Sequence, residues 1–430
     1  MAGNWLSEFG FIKNPYDTMA LSASEEGSRL LVGRDEEVSF LMQQLTASSM
    51  IPLLYGENGV GKSSIANVVA YRLSQAFDRG DERYFFLKLK RIQSTQLSDL
   101  IAFEKSVYQE IMYLLLDNKD FLVERGISKT EINQVNQLVC QMGSIGVGGG
   151  IGPISLNLDY TPNPSAESNL LNIVRKWMEI CFSGCYSGGI ICIIDNLENS
   201  GTPNQVKSLI ESLRDTLFTM PGLLWILCGT PVAVEGVRSS KLLQGYFAER
   251  KILSVDENIV PKVVERRIDY YGKTEADPPV DKELFEILYQ IVNKQLRVAF
   301  TICQEFAVFL YNHAIWRTND RKSEFKTWLD QMASNLPEKE HEVPDESWNL
   351  FDRIVMFGPD ISDYDLKMLN PSQSDELNAL LFPLKAKRLI DIVEIDNGFV
   401  VRVTRDGWLV NYKRHNYSLG RNLNGTRSSC

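Results

Sequence analysis

Residues 56–63 read Gly-Glu-Asn-Gly-Val-Gly-Lys-Ser, and no other feature restricts the possible folds so tightly. The octapeptide satisfies the pattern G-x-x-x-x-G-K-[ST] at every specified position. A loop of this kind holds phosphate only where it joins a buried strand to a helix, because its N–H groups must converge at a helix N-terminus, where the aligned peptide dipoles favour an anion. Both flanks comply. Met50–Tyr55 is a short apolar run bounded by Gly56, the mark of a buried parallel strand, and helical periodicity begins near Lys62. The loop amides from Gly56, Glu57, Asn58, Gly59, Val60 and Gly61 are therefore expected to wrap phosphates. Lys62 would reach the outermost ones, Ser63 would offer its hydroxyl to Mg²⁺, and Ser64 closes the segment. A simple glycine turn is the bland alternative, and it would require neither flank.

The second half of such a site is an acid at the end of another buried strand. Ile190–Ile194 is an unbroken β-branched and cysteine run followed by Asp195, the expected magnesium carboxylate. The following residue is Asn196, and the nearest later acid is Glu198. Glu198 is accordingly the candidate base for an attacking water, against the reading that it is a surface carboxylate.

Strand-like runs at Tyr84–Leu89 and Leu223–Cys228 alternate with helical spacing at Val38–Leu45, Leu97–Leu116 and Gln205–Leu217, with a further strand expected over Lys251–Val255. Alternation of this sort predicts an α/β fold with a parallel sheet. The first thirty residues read as an extended arm. Asn118–Ser165 interrupts the alternation with a glycine-rich stretch, 143–152, and alternating Ile154, Leu156 and Leu158, which suggest an inserted hairpin. After residue 256 the periodicity is helical (Val260–Tyr271, Asp281–Val292, Leu296–Tyr311, Arg321–Met332). Asn335–Glu346, with two prolines and five acids, is the linker candidate. Three helical segments and two strands joined at Asp396-Asn-Gly398 then outline a winged helix. The expected division is a nucleotide-binding core over 1–256 with an arm and an insertion at about 118–165, a helical lid over 257–335, a winged helix over 345–412 and a flexible basic tail over 413–430.

Charge limits the partners. The chain carries a net charge of −10, which opposes a role as an electrostatic sleeve for nucleic acid, yet from Arg402 onward six basic residues face only Asp406, a local +5. No apolar run reaches the length needed to span a bilayer, and the N-terminus lacks the plan of a secretory signal, so a cytoplasmic location without membrane attachment is expected. The seven cysteines are read as reduced. Cys181 and Cys185 have too loose a spacing, and histidines too distant, for a zinc site.

Taken together, Asn14-Pro-Tyr16, Val32-Gly-Arg-Asp-Glu-Glu37, the phosphate loop, Asp195-Asn-Leu-Glu198 and the strand ending Gly229-Thr230 resemble the initiator and loader clade of AAA+ ATPases and the related STAND ATPases, over roughly residues 10–309. The winged helix extends the likeness to origin-recognition proteins. That resemblance implies an ATPase with ATP and Mg²⁺ as cofactors, adenine packed around Val32 and Gly33, Thr230 as the polar sensor and Arg297, within Asn293-Lys-Gln-Leu-Arg297, as the lid arginine on the γ-phosphate. It also implies a homo-oligomer completed by an arginine from a neighbouring subunit, for which Arg238 fits best and Arg250 next. Asn196 and the glycine-rich insertion depart from the family pattern: either Glu198 swings in as the base or hydrolysis is slow, and the rate and the partner stay open while the nucleotide does not. Three readings follow: an ATP-driven switch engaging a protein or DNA partner, a DNA-binding winged-helix protein with structural ATP, and a STAND-like signalling or defence scaffold.

Overall fold

The structure, a computed structural model, describes residues 5–78, 100–144, 164–182, 188–315, 320–335, 343–369, 377–395 and 398–415. The first stretch holds α1 (Trp5–Glu8), α2 (Glu25–Leu30), α3 (Asp35–Ala47), β1 (Ile51–Tyr55) and α4 (Lys62–Asp78). Next come α5 (Leu100–Asp117), α6 (Lys119–Glu124), α7 (Lys129–Ser144), α8 (Pro164–Phe182), β2 (Ile190–Ile194), α9 (Pro203–Arg214), β3 (Leu223–Gly229), α10 (Pro231–Arg238) and β4 (Phe247–Lys251). The helices α11 (Val260–Tyr271), α12 (Lys282–Ile291), α13 (Leu296–Asn312) and α14 (Arg321–Asn335) follow. The C-terminal part comprises α15 (Asp345–Phe357), β5 (Asp360–Ser362), α16 (Asp363–Leu369), α17 (Leu377–Ala386), β6 (Ile390–Ile395), β7 (Gly398–Val403) and α18 (Arg405–Arg414). These elements form two compact units. Met1–Glu37, Tyr55–Val68 and Lys251–Cys430 make the first, Val38–Leu54 and Val69–Arg250 the second.

A four-stranded sheet of order β2-β3-β1-β4 organises the second unit. β2 and β3 run parallel from Ile190↔Leu223 to Ile194↔Leu227. β1 and β4 also advance together, with Ile51 N–H donating to Tyr246 O at one end and Ile252 N–H to Tyr55 O at the other. β2 is buried along almost its whole length, which explains its unbroken apolar sequence. Helix α9 starts at a capping box in which Thr202 Oγ1 accepts from Gln205 N–H and Gln205 Oε1 accepts from Thr202 N–H. It lies so close to α10 that a Cβ on Gly236 would sit 2.1 Å from the carbonyl oxygen of Pro203.

In the first unit the N-terminal arm is fixed to the lid helices. The Tyr16 hydroxyl, fully buried, donates to Val280 O at 2.6 Å and accepts from Val280 N–H at 3.0 Å. Arg267 of α11, also buried, lies 4.3 Å from the Phe300 ring and donates to Asp17 O at 2.7 Å; burial pulls its pKa below the ordinary arginine value. The winged helix is assembled from α15, α16, α17 and the antiparallel sheet β5-β7-β6, whose hairpin pairs Ile395 with Gly398. The α/β class with its parallel sheet, helical lid and winged helix is as the sequence indicated.

Several elements differ from expectation. The arm is not wholly extended, since it contains α1 and α2, the latter capped by Ser24 Oγ, which accepts from Gly27 N–H. The last strand of the large sheet is Phe247–Lys251 and not 251–255, because an edge strand tolerates Glu249 and Arg250, whereas the apolar Ile252 and Val255 lie beyond it. The segment expected as an insertion begins with α6 and α7 and ends in α8, all helical. Arg405–Arg414 forms α18, which closes the expected winged-helix segment and takes in Lys413 and Arg414 of the expected tail; residues 416–430 of that tail lie outside the described residues. The expected strand at 84–89, the hairpin at 154–158 and most of the glycine-rich stretch lie outside the described residues, as do Cys185 and residues 336–342 of the linker. Among the described residues no helix is long and apolar enough to cross a membrane.

Replacing Tyr16 by Phe leaves both polar groups of Val280 without their buried partner. The expected loss is about 1–3 kcal/mol, read as a lower denaturant midpoint with an unchanged slope.

Candidate functional site

The phosphate loop is built by two left-handed glycines and one buried arginine. Gly59 (φ 85°) and Gly61 (φ 102°) adopt backbone conformations that residues with side chains rarely take. Beyond its chain neighbours, no heavy atom lies within 4 Å of the position a Cβ on Gly61 would take, so there is open space at that point, and the first turn of α4 carries no acid to oppose an anion. Lys62 is 6% exposed, and its Nζ donates to Gly56 O at 2.7 Å and Glu57 O at 3.0 Å. The Ser64 hydroxyl accepts from Leu21 N–H at 3.0 Å, tying the helix start to the arm. Ser63 lies half-buried in the first turn, and Asn58 half-buried in the loop.

Arg34 holds this loop from below. Its guanidinium, 6% exposed, donates to Val60 O at 2.8 Å, to Leu253 O at 2.8 Å and to Glu37 Oε1 at 2.9 Å. The sequence marked the Val32–Glu37 segment as an adenine wall and gave Arg34 no role. Its partners, backbone carbonyls remote in the chain, leave no local signature.

Arg297 lies beside the loop. It is an exposed residue in the first turn of α13, and a methyl group placed on Gly59 would lie 2.9 Å from its Cβ. Asn293 and Lys294, both with positive φ, turn the chain into that helix. Val32 lines a cleft of about 530 Å³ with Lys262, Glu265, Arg266, Asp269 and Tyr270, and Gly33 (φ 69°) lies beside Ile259. Such a volume suits a small ligand or a nucleobase.

The remaining sequence candidates belong to the second unit. Asp195 follows β2, and its Oδ1 accepts from Asn196 N–H at 3.0 Å. Asn196 takes a left-handed conformation (φ 57°) and opens the 3₁₀ turn Leu197–Ser200. Glu198 in that turn is not an idle surface acid. Its Oε2 accepts from Thr230 N–H at 3.1 Å, and Thr230 caps α10 by accepting from Ala233 N–H. The base candidate and the sensor candidate are thus hydrogen-bonded to each other. Arg238 at the end of α10 is held by Glu249, with Nε at 2.8 Å and Nη2 at 2.5 Å from the same oxygen, and lies 3.6 Å from Glu235. Arg250 lies over the Phe40 ring at 5.9 Å. No group of three or more metal-ligating side chains occurs among the described residues, and Cys181 is buried, its thiol pushed up to about 12 by desolvation.

One cluster escaped the sequence entirely. Glu57, second residue of the loop, faces Asp360 of β5, which Arg402 of β7 grips through Nε at 2.7 Å and Nη2 at 3.1 Å. Burial, then the neighbouring Asp360 carboxyl, raises the Glu57 pKa to about 8, while Arg402 and Lys62 pull the other way.

No family model matches the sequence, and no curated protein does. Solved structures similar to it include the Aeropyrum pernix ORC1 protein in complex with DNA, 12% identical, covering 96% of this chain and 99% of that one with a TM-score of 0.44. The A. pernix ORC2 protein in its ADP form is 12% identical over 94% and 98% of the two chains, with a TM-score of 0.45. A mutant of Thermotoga maritima RuvB is 12% identical over 93% and 99%, with a TM-score of 0.40.

If Arg34 supports the loop, Arg34→Lys keeps the charge and loses the fork. The variant should be less stable by about 1.5–3 kcal/mol in denaturant unfolding, with faster amide exchange over residues 56–61.

Proposed function

We propose that this chain is an ATP-binding and ATP-hydrolysing switch of the AAA+ type that uses Mg²⁺ and couples nucleotide state to self-association and to engagement of a partner by the winged helix. The observation that carries this reading is the loop itself: two left-handed glycines, open space beside Gly61, an acid-free helix N-terminus and a lysine already placed among the loop carbonyls. That donor set fits a polyphosphate. ATP, when bound, supplies the phosphoanhydride and carries the metal.

In this reading the amides of Gly56–Gly61 and the Lys62 ammonium bind the phosphates, and the hydroxyl of Ser63 and the carboxylate of Asp195 hold Mg²⁺. Val32 and Gly33 border the base. Arg297 takes the terminal phosphate from the lid side, and Glu198 orients or deprotonates the attacking water. Glu198 Oε2 accepts from Thr230 N–H, which holds the base candidate against the sensor candidate; a carboxylate can accept from water at the same time. Arg238 is the proposed arginine in trans. It is engaged by Glu249, so reaching a second copy's phosphate means exchanging a carboxylate for a phosphoryl oxygen.

The charge of the C-terminal stretch favours a protein over DNA as the winged-helix partner. Three of its basic side chains are engaged within the first unit: Arg402 by Asp360, Arg405 by Glu305 and Arg414 by Asp352. A cation already held by a carboxylate gains less from a phosphate because it must first give up that partner, and the number of phosphate contacts sets the salt dependence of binding. A DNA complex whose affinity falls steeply with salt would reverse this preference.

Lys62→Ala should weaken ATP binding about 10- to 100-fold, the loss expected for a charge-assisted contact of about 1.5–3 kcal/mol, with the circular dichroism spectrum unchanged. Equal affinity of the two proteins by titration calorimetry would remove the basis of the assignment. Glu198→Gln should retain binding and lower turnover by about a hundredfold or more in a steady-state phosphate-release assay; turnover at the wild-type rate would place the base elsewhere.

A further inference from the structure

The Glu57 contact joins two parts of the molecule that sequence gives no reason to connect, the phosphate loop and the winged helix, both within the first unit. Asp360 and Arg402 are directly opposed in the β5–β7 register, so the strand pairing fixes the carboxylate and guanidinium side by side. Asp360 is 15% exposed and Arg402 33%. The Glu57 carboxyl meets this pair with its Oε2 sealed from solvent and without a donor. Two carboxyl groups in contact are both acceptors. They attract only if a proton lies between them, and one guanidinium already committed bidentately to Asp360 does not neutralise both.

We propose that the winged helix is latched onto the phosphate loop by a single proton held between Glu57 and Asp360, which makes its docking on that loop sensitive to pH. The groups facing Glu57 are Asp360 and Arg402 from the winged helix and Lys62 from α4. Burial and Asp360 raise the docked pKa from the ordinary 4.5 to about 8, against the opposing pull of the two cations. Docking then takes up one proton between those values. It is fully supported below the lower one and weakens as pH rises. The proton's contribution is gone once pH has passed the upper value. In that window the docking equilibrium falls by up to about tenfold per pH unit.

The device also bears on the loop's ligand, and here it rests on the nucleotide reading. Glu57 and Lys62 share one turn of backbone, since Lys62 Nζ donates to the Glu57 carbonyl. A polyphosphate that draws Lys62 inward alters the same segment that carries the latch carboxyl.

The test uses the full chain without nucleotide, so it separates the latch from the nucleotide assignment. Infrared spectra of the wild type at neutral pH should contain a protonated-carboxyl stretch that disappears as pH passes about 8, and that either Glu57→Gln or Asp360→Asn removes. Amide exchange of residues 51–64 and 360–362, corrected for the intrinsic rate, should quicken by up to about tenfold per pH unit in the wild type between about pH 6 and pH 8. In Glu57→Gln, whose amide donates to Asp360 at every pH, it should stay flat. Absence of the band from the wild type, its persistence in both variants, or a wild-type pH response in Glu57→Gln would each overturn the latch. Failure to bind ATP would touch none of these readouts.

Discussion

A guanidinium sealed inside a protein must find acceptors for its donors or destabilise the fold, and Arg34 finds them in two backbone carbonyls and one carboxylate. That requirement sets the geometry around it. Val60 O belongs to the phosphate loop, Leu253 O to the chain leaving β4, and Glu37 to the first turn of α3. One planar side chain therefore fixes the loop floor, a strand exit and a helix start to within hydrogen-bond tolerance. The loop's glycines reach the left-handed region without steric cost because they carry no Cβ.

Several of the charged candidate residues already serve the structure of their own units. Lys62 keeps its ammonium on loop carbonyls, Glu198 lends a carboxylate oxygen to the cap of α10, and Arg238 is held by Glu249. Each interaction is strong enough to position a side chain and weak enough to be replaced by a better-charged partner. The proposed switch would act through such replaceable contacts, since a ligand shifts an equilibrium only through its different affinity for two states.

What could be read from sequence was what is encoded locally. The phosphate loop, β2 with Asp195 and the hairpin pairing Ile395 with Gly398 were legible because their spacing or turn chemistry fits within a dozen residues. The position of Arg297 came from resemblance, and its closeness to Gly59 could not have come from spacing. Arg34 was opaque, its carbonyl partners lying 26 and 219 residues away. Glu57 was visible as a loop residue and invisible as a latch, because Asp360 and Arg402 meet it only after the winged helix has folded. The edge strand β4 was misplaced since its exposed Glu249 and Arg250 carry no apolar signal, and α18 was hidden by its charge.

The first unit is made of three separated stretches, and that has a consequence for synthesis. The loop leaves the ribosome early, but its second carbonyl anchor lies 219 residues beyond Arg34. At about 5–20 residues per second, the gap is roughly 10–40 s. During that interval the nascent glycine loop is tethered on one side only, and it is joined by the lid and the winged helix later still. The loop's support is thus complete only once Leu253 has been made, so a ribosome that stops before that residue leaves a polypeptide with the motif and without its second anchor.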